Sequence, residues 1–349
     1  MRIVVNDIAA SSGGALTVLK SFYNYIIEND DENEWIFLLS KMYVKETKNV
    51  KVILLEKVKK NWINRLTFDI ISGKKIITSL KPDIVFSLQN TITFGLKVPQ
   101  IVYMHQSLPF QREKKFSFFN SKERTLAVYQ YIIGFLIKKS IKKADKIIVQ
   151  TEWIKKSVIE TTKINSNKII KISPNEEDYS SFKNSDIFNK NTFFYPAAEH
   201  IYKNHECIYR ACEILNNKGL QDFIVQLTLP QKEKRKNILN IGEQKFESVM
   251  NKYNTSTLIF PSYIETVGLP LLEARQMNTI ILASDCSFSR EVLANYENAY
   301  YFNPFEPEEL ASLMEKVIKN KIKKKRIQKE TSIMSDSWNE VKEVILEFA

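Results

Sequence analysis

Short apolar runs alternate with longer stretches of helical spacing along most of the chain. Residues 2–5 form the first run, which ends at Asn6. Ser11, Ser12, Gly13 and Gly14 then make a turn, and residues 15–27 follow with Leu16, Leu19, Tyr23 and Ile26 on one helical face. Further strands are expected at 35–39, 52–55, 84–88, 101–104 and 146–150, each a β-rich run bounded by polar or turn residues. The alternation restarts after Ser173, Pro174, Asn175 and a polar stretch to Asn191. Strands are expected there at 192–195, 223–227, 258–260, 279–283 and 299–302, with a helix at 204–215.

Strand–helix repetition of this kind builds parallel sheets covered by helices on both faces. Occurring twice, it predicts an α/β protein of two Rossmann-like domains, residues 1–173 and 174–335, facing each other across a cleft. A chain of 349 residues is also long enough that a single core normally splits. Ligands in such sheets bind beyond the carboxyl ends of the strands, so the cleft between the halves is the place to look.

Composition narrows the class. An apolar share of 44% and a charged share of 26% exclude a disordered or fibrous chain. Three cysteines without a CxxC pair exclude a disulfide framework and a tetracysteine zinc site. Asn6 and Asp7 interrupt the only apolar stretch near the start, so no signal peptide is read there. The longest nearly apolar run, 126–137, contains Gln130 and is too short to span a bilayer. The expectation is a cytoplasmic protein that touches the inner face of a membrane without crossing it. A net charge of +11 points to anionic partners.

Gly13 and Gly14 follow the first strand and open the first helix. Such a pair serves either as a tight strand-to-helix turn or as a cradle where backbone N–H groups and the helix N-terminus meet an anion. None of the eight glycines takes part in a GxGxxG or Walker pattern, which disfavours a nicotinamide enzyme or a P-loop ATPase.

The densest signal is Pro261-Ser262-Tyr263-Ile264-Glu265-Thr266-Val267-Gly268-Leu269-Pro270-Leu271-Leu272-Glu273-Ala274. Pro270 suits a first helical position because its missing N–H costs nothing there. The N–H groups of Thr266 to Leu269 would then face outward at a helix N-terminus, an anion site. Two carboxylates beside an anion site make sense if they accept hydrogen bonds from vicinal hydroxyls, as on a sugar and a ribose flanking a diphosphate.

This string resembles the "PSxxEGFGLPxxEA" segment of retaining glycosyltransferases of the GT-B fold, in particular glycosyltransferase family 4. Val267 stands where phenylalanine is usual. The resemblance implies a transferase that moves a sugar from a nucleotide-diphosphate sugar to an acceptor hydroxyl with retention. The acceptor would be a saccharide or lipid-linked saccharide in surface polysaccharide or glycoconjugate synthesis. It implies that Glu265 contacts donor-sugar hydroxyls, Glu273 the ribose, and the backbone at Val267, Gly268 and Leu269 the sugar and diphosphate. Gly13 and Gly14 match the family's glycine loop at the donor phosphate. His105, in Tyr103-Met104-His105-Gln106, matches a histidine near donor sugar and acceptor; a lone histidine is otherwise a common structural hydrogen-bonding residue. Lys203 matches the lysine that meets the diphosphate, a point charge for the departing phosphate. With that charge supplied, no metal or other cofactor is expected. The companion arginine is missing from Tyr195-Pro196-Ala197-Ala198-Glu199-His200. Pro174-Asn175 resembles the linker between the family's domains, and Gly242-Glu243 a turn before a helix of the second. Asn303-Pro304 and Pro307-Glu308-Glu309-Leu310 echo a later motif. In the family the last helix crosses back to the first domain, as residues 336–349 would here.

Charge is unevenly spread. Residues 112–143 hold nine Lys or Arg and two Glu. Lys114, Lys115, Phe116, Phe118 and Phe119 interleave cations with aromatics, the pattern of a membrane or acceptor contact. The run 126–137 reads instead as a core helix, and 319–326 as a solvated helix end. His200, His205, Cys207 and Cys212 are close in sequence, but Cys207 and Cys212 point to different helix faces, and Cys212 joins an apolar stripe. Core packing is therefore expected, not zinc. The alternatives are a basic nucleic-acid-binding protein, which leaves the Glu265–Glu273 string unexplained and lacks any DNA- or RNA-binding motif, and a GT-B epimerase or inactive homologue.

Overall fold

In the computed structural model, residues 1–11, 13–30, 32–175, 178–182, 188–231, 234–325 and 337–348 are described. Two separate parallel sheets organise them. The first has seven strands: β1 (Arg2–Asn6), β2 (Glu34–Leu39), β3 (Val50–Leu54), β4 (Ile84–Ser87), β5 (Gln100–Met104), β6 (Lys146–Val149) and β7 (Ile169–Lys171), in spatial order β3-β2-β1-β4-β5-β6-β7. The second has six: β8 (Thr192–Tyr195), β9 (Ile224–Leu227), β10 (Ile238–Asn240), β11 (Thr257–Phe260), β12 (Ile281–Ser284) and β13 (Ala299–Phe302), in order β10-β9-β8-β11-β12-β13. Both orders reverse next to the first strand of their sheet, which opens a crevice at the strands' carboxyl ends. Ser12 and the linker residues 176, 177 and 183–187 lie outside the described residues, as do 326–336 and 349.

The strands are buried on both faces, so they read as continuous apolar runs. In the first sheet, Ile3, Val5, Ile84, Phe86 and Tyr103 belong to one core. The intervening Val4 and Val85 face the opposite side, as do Val102 and Met104. Helix Gly13–Asn29 and helix Ser337–Leu346 cover the former face, while helical runs 62–79 and 124–143 cover the latter. The last helix is thereby fastened to the first domain. Its Trp338 ring lies 5.1 Å from Phe22 and 5.6 Å from Tyr103, and its indole N–H donates to Ser21 Oγ at 2.8 Å.

Two edge strands escape the sequence pattern. β7 and β10 are three residues each, too short for a periodicity, and β10 ends on a polar residue. The expected strand at 52–55 begins two residues earlier, because Val50 pairs with Trp35.

Trp338 welds a distant segment of chain to the first core, so Trp338→Ala should cost about 3–5 kcal/mol. Urea unfolding of the purified protein measures this; an unchanged midpoint would show that the last helix is not part of that core.

Candidate functional site

The loop after β11 carries the acidic string. Helix Leu269–Gln276 begins directly behind it, capped by Gly268 at φ 82°, a left-handed conformation that only glycine adopts without strain. A side chain there would also meet Leu271, Phe260 and Phe288. Pro270 occupies the second helical position, one later than the expected first. Among the described residues, the N–H groups of Thr266, Val267, Gly268 and Leu269 find no protein acceptor, so this helix start presents free donors. Val267 is buried in the second-domain core.

Glu265 and Lys203, 62 residues apart, meet directly. Lys203 Nζ donates to Glu265 Oε1 at 2.5 Å, and Ser262 Oγ donates to the same oxygen at 2.7 Å. Lys203 ends a single helical turn before helix His205–Asn217. That turn is held by Asn204, in a left-handed conformation, whose side-chain amide donates to Pro261 O and Pro304 O. Tyr195 OH donates to Lys203 O at 3.0 Å. His200, at the end of the segment lacking arginine, stacks on Tyr202 at 5.4 Å. Burial, then the Glu265 charge, pushes Tyr202 up to about 12. Glu273 sits one helical turn into the helix and accepts from Tyr253 OH at 2.9 Å.

Across the cleft, Gly13 opens helix Gly13–Asn29 in a left-handed conformation. A Cβ on either Gly13 or Gly14 would meet nothing within 4 Å, so a helix N-terminus stands open there. Among the described residues, neither glycine is bonded to the second domain. His105, after β5, is joined to the acidic loop through its backbone: Thr266 Oγ1 donates to His105 O at 2.8 Å. Its ring is neutral at physiological pH, pushed down to about 4 by burial and by Arg65, and its Nδ1 has no partner among the described residues.

The sequence reading missed the residues that hold the halves together. Trp153 Nε1 donates to Thr266 O at 2.8 Å, and both oxygens of Glu291 accept the N–H groups of Glu152 and Trp153 at 2.7 Å. Glu291 thus lends a carboxylate from one domain to a helix N-terminus of the other, where a negative charge is favoured. Trp153 also lines a cavity of about 630 Å³ between the domains, together with Phe110, Arg112, Lys156, Phe288 and Glu265. Lys203, Glu273 and the glycine pair lie outside its walls.

A polar cluster at the carboxyl ends of β1 and β4 was also missed. Asn6 and Asp7 are buried with no side-chain hydrogen bond among the described residues, and Arg65, Lys59 and the Ala10 amide stand near the Asp7 carboxyl. Arg65 donates to Gln89 O at 3.2 Å, and buried Asp69 accepts from Gln89 and Thr91. Asn6-Asp7 at a strand end is the available signal, beyond the break it makes in an apolar run.

The aromatic-cationic loop departs from expectation. Phe116 is buried in the second-domain core, so it is not free to contact a membrane or acceptor, and the half-buried Lys114 is paired with Glu123 at 2.8 Å. Lys115, Phe118 and Phe119 are exposed. The run 126–137 is a half-buried helix, not a core helix, because Tyr129, Tyr131, Ile132 and Phe135 face outward. Cys207 and Cys212 pack in the core, where burial pushes both thiols up to about 12.

Residues 179–333 match the family glycosyl transferases group 1. The O-antigen chain mannosyltransferase RfbU of Salmonella typhimurium is 24% identical over 298 residues, 75% of this chain and 80% of that protein. Among solved structures, WaaG, a glycosyltransferase involved in lipopolysaccharide biosynthesis, matches with a TM-score of 0.66 at 12% identity, covering 98% of this chain and 99% of that one. Anabaena HepE in complex with UDP-glucose matches with a TM-score of 0.61 at 12% identity, covering 99% and 95%. The fold is the two-domain GT-B arrangement.

Burial pushes Asp7 up to about 8, so the folded protein keeps a proton that the unfolded chain gives up near 3.8. The stability this contributes is complete at low pH and is lost as pH rises toward 8. His105 acts in the opposite sense, losing its contribution as pH falls from 6.5 toward 4. His105 contributes equally to the parent and to an Asp7 variant, so the difference between them isolates Asp7. Asp7→Asn should therefore reduce the fall in melting temperature between about pH 6.5 and 8. Identical slopes in parent and variant would contradict a protonated buried Asp7.

Proposed function

We propose that this protein is a retaining glycosyltransferase that moves a sugar from a nucleotide-diphosphate sugar to an acceptor hydroxyl. The acceptor is a saccharide or lipid-linked saccharide of surface polysaccharide or glycoconjugate synthesis, met at the inner face of a membrane. The observation that carries this reading is the convergence of Lys203, Glu265 and the free N–H groups at the start of helix Leu269–Gln276. The match to glycosyl transferases group 1 supports the reaction class, and the O-antigen mannosyltransferase and the UDP-glucose complex among the relatives support the substrate classes.

In this reading residues 174–335 bind the donor, and residues 1–173 with the last helix bind the acceptor. Glu265 accepts hydrogen bonds from hydroxyls of the donor sugar, and Glu273 from the ribose. Lys203 turns from Glu265 toward the diphosphate, where the helix N-terminus and the open Gly13-Gly14 turn add partial positive charge. These groups lower the barrier by meeting the negative charge that develops on the leaving phosphate. His105, held neutral, serves as a hydrogen-bonding group through its free Nδ1 and not as a general acid. Lys203 and the helix dipoles supply the positive charge, so turnover is expected to persist in EDTA.

Lys203→Ala and Glu265→Ala should each lower turnover by roughly 10²–10³, the loss typical of one preorganised electrostatic group. Nucleotide release with UDP-, GDP- and dTDP-sugars reads the turnover, and NMR of the product's anomeric proton reads retention. A donor at 100 times its dissociation constant should add about 2.7 kcal/mol of stability in a melting assay. Near-parental turnover in both variants, or stabilisation by nonspecific DNA and by no sugar nucleotide, would overturn the reading.

A further inference from the structure

The apolar side chains left outside the first domain are gathered, not scattered. Ile63, Ile70 and Ile71 stand out from the helical run 62–79, with Ile71 70% exposed. Tyr131, Ile132 and Phe135 stand out from the run 124–143, with Phe135 67% exposed. In the preceding loop, Phe119 is 97% exposed, and the Phe118 ring packs 5.6 Å from Tyr131. The two runs are neighbours, because both cover the same face of the first sheet: Phe68 and Ile77 pack over Val4 and Val85, and Ile137 and Ile141 over Val102 and Met104. Phe94 bridges them: its N–H donates to Asp69 O at 2.7 Å, and the Lys143 ammonium stands 5.7 Å above its ring.

The charges on this face have one sign. Lys74 and Lys75 are exposed on the first run, Lys139, Lys142 and Lys143 on the second, and Lys115 and Lys122 on the loop. The acids of the two runs and of residues 115–123, Asp69 and Glu123, are both buried, and Glu123 is neutralised by Lys114; Glu113, exposed just before Lys115, lines the cavity between the domains instead. A solvated surface has no need of so many branched and aromatic side chains in one place. A protein interface is depleted in lysine at its centre. Apolar side chains among lysines, with no exposed acid, match a bilayer interface: the former enter the acyl boundary and the latter meet lipid phosphates. Among the described residues no helix is long and apolar enough to cross a membrane, so the contact would lie in the plane of the surface.

We propose that the joint face of runs 62–79 and 124–143, with the Phe119 loop at its edge, is a docking surface for an anionic lipid bilayer. This deepens the membrane part of the proposed function and moves the contact from Lys114 and Phe116 to a wider surface that keeps Lys115, Phe118 and Phe119. Its test is independent of sugar transfer, so either can fail alone.

The test is flotation of the full chain with vesicles of phosphatidylglycerol and phosphatidylcholine in equal parts, against phosphatidylcholine alone. The parent should float with the anionic vesicles only, and less so as salt is raised. The double variants Ile70→Glu with Ile71→Glu, and Ile132→Glu with Phe135→Glu, should each weaken binding about tenfold or more, since each removes apolar area from the contact and adds repulsion. Their melting temperatures and donor hydrolysis should stay at parental values, because all four side chains are exposed and none lines the cavity that includes Glu265. Parental vesicle binding by both variants would overturn the proposal, as would failure of the parent to bind anionic vesicles. A concentration-dependent dimer abolished by the same variants, with vesicle binding unchanged, would overturn it in favour of a second copy of the chain.

Discussion

Thr266 is the point on which the two halves agree. Its hydroxyl donates to the His105 carbonyl, and its own carbonyl accepts the Trp153 indole N–H. It also stands next to Glu265 in the loop that starts the second-domain helix. A residue flanking the acidic side chain is thus bonded to the first domain from both its polar ends. Where His105 stands relative to Glu265 follows from this, and so does the width of the crevice between the strand ends. Glu291 reinforces the same joint from a separate helix, placing its carboxylate on the Glu152 and Trp153 amides.

The second constraint is charge within a partly enclosed space. Lys203 and Glu265 neutralise each other, and Ser262 satisfies the same carboxylate oxygen. Removing one partner would leave the other uncompensated, which is expensive away from bulk water. An anion entering near Lys203 must compete with Glu265, and a hydroxylated ligand offers Glu265 replacement donors. A ligand carrying both groups relieves both demands together. The first domain handles the problem differently: burial outweighs the nearby Arg65 and Lys59 at Asp7, which keeps its proton, and His105 stays neutral.

Much of this was legible because it is local. The string from Pro261 to Ala274 encodes a strand end, a loop, a left-handed glycine and a helix start within one stretch of chain, and none of these needs a distant partner to be recognised. The strands were legible because burial on both faces makes them continuous apolar runs. The errors arose where a residue's surroundings come from far away. Phe116 looked like part of an exposed basic loop, but the second domain covers it. The run 126–137 looked like a core helix, but only one of its faces meets the sheet, and the other stays in solvent. No short-range pattern distinguishes those cases, since period and composition give the amphipathic face but not what lies against it.

Order along the chain therefore determined the two α/β halves, the glycine at 268 and the acidic string behind it, because strand burial, backbone handedness and helix capping act between neighbours in sequence, whereas Lys203 was marked only by the family resemblance. Tertiary structure alone decided that Lys203 meets Glu265, that Thr266 and Glu291 join the domains, and which aromatic side chains remain outside. Those outcomes depend on contacts between segments dozens to hundreds of residues apart. Their energies arise from desolvation and close packing, which exist only once the sheets have assembled.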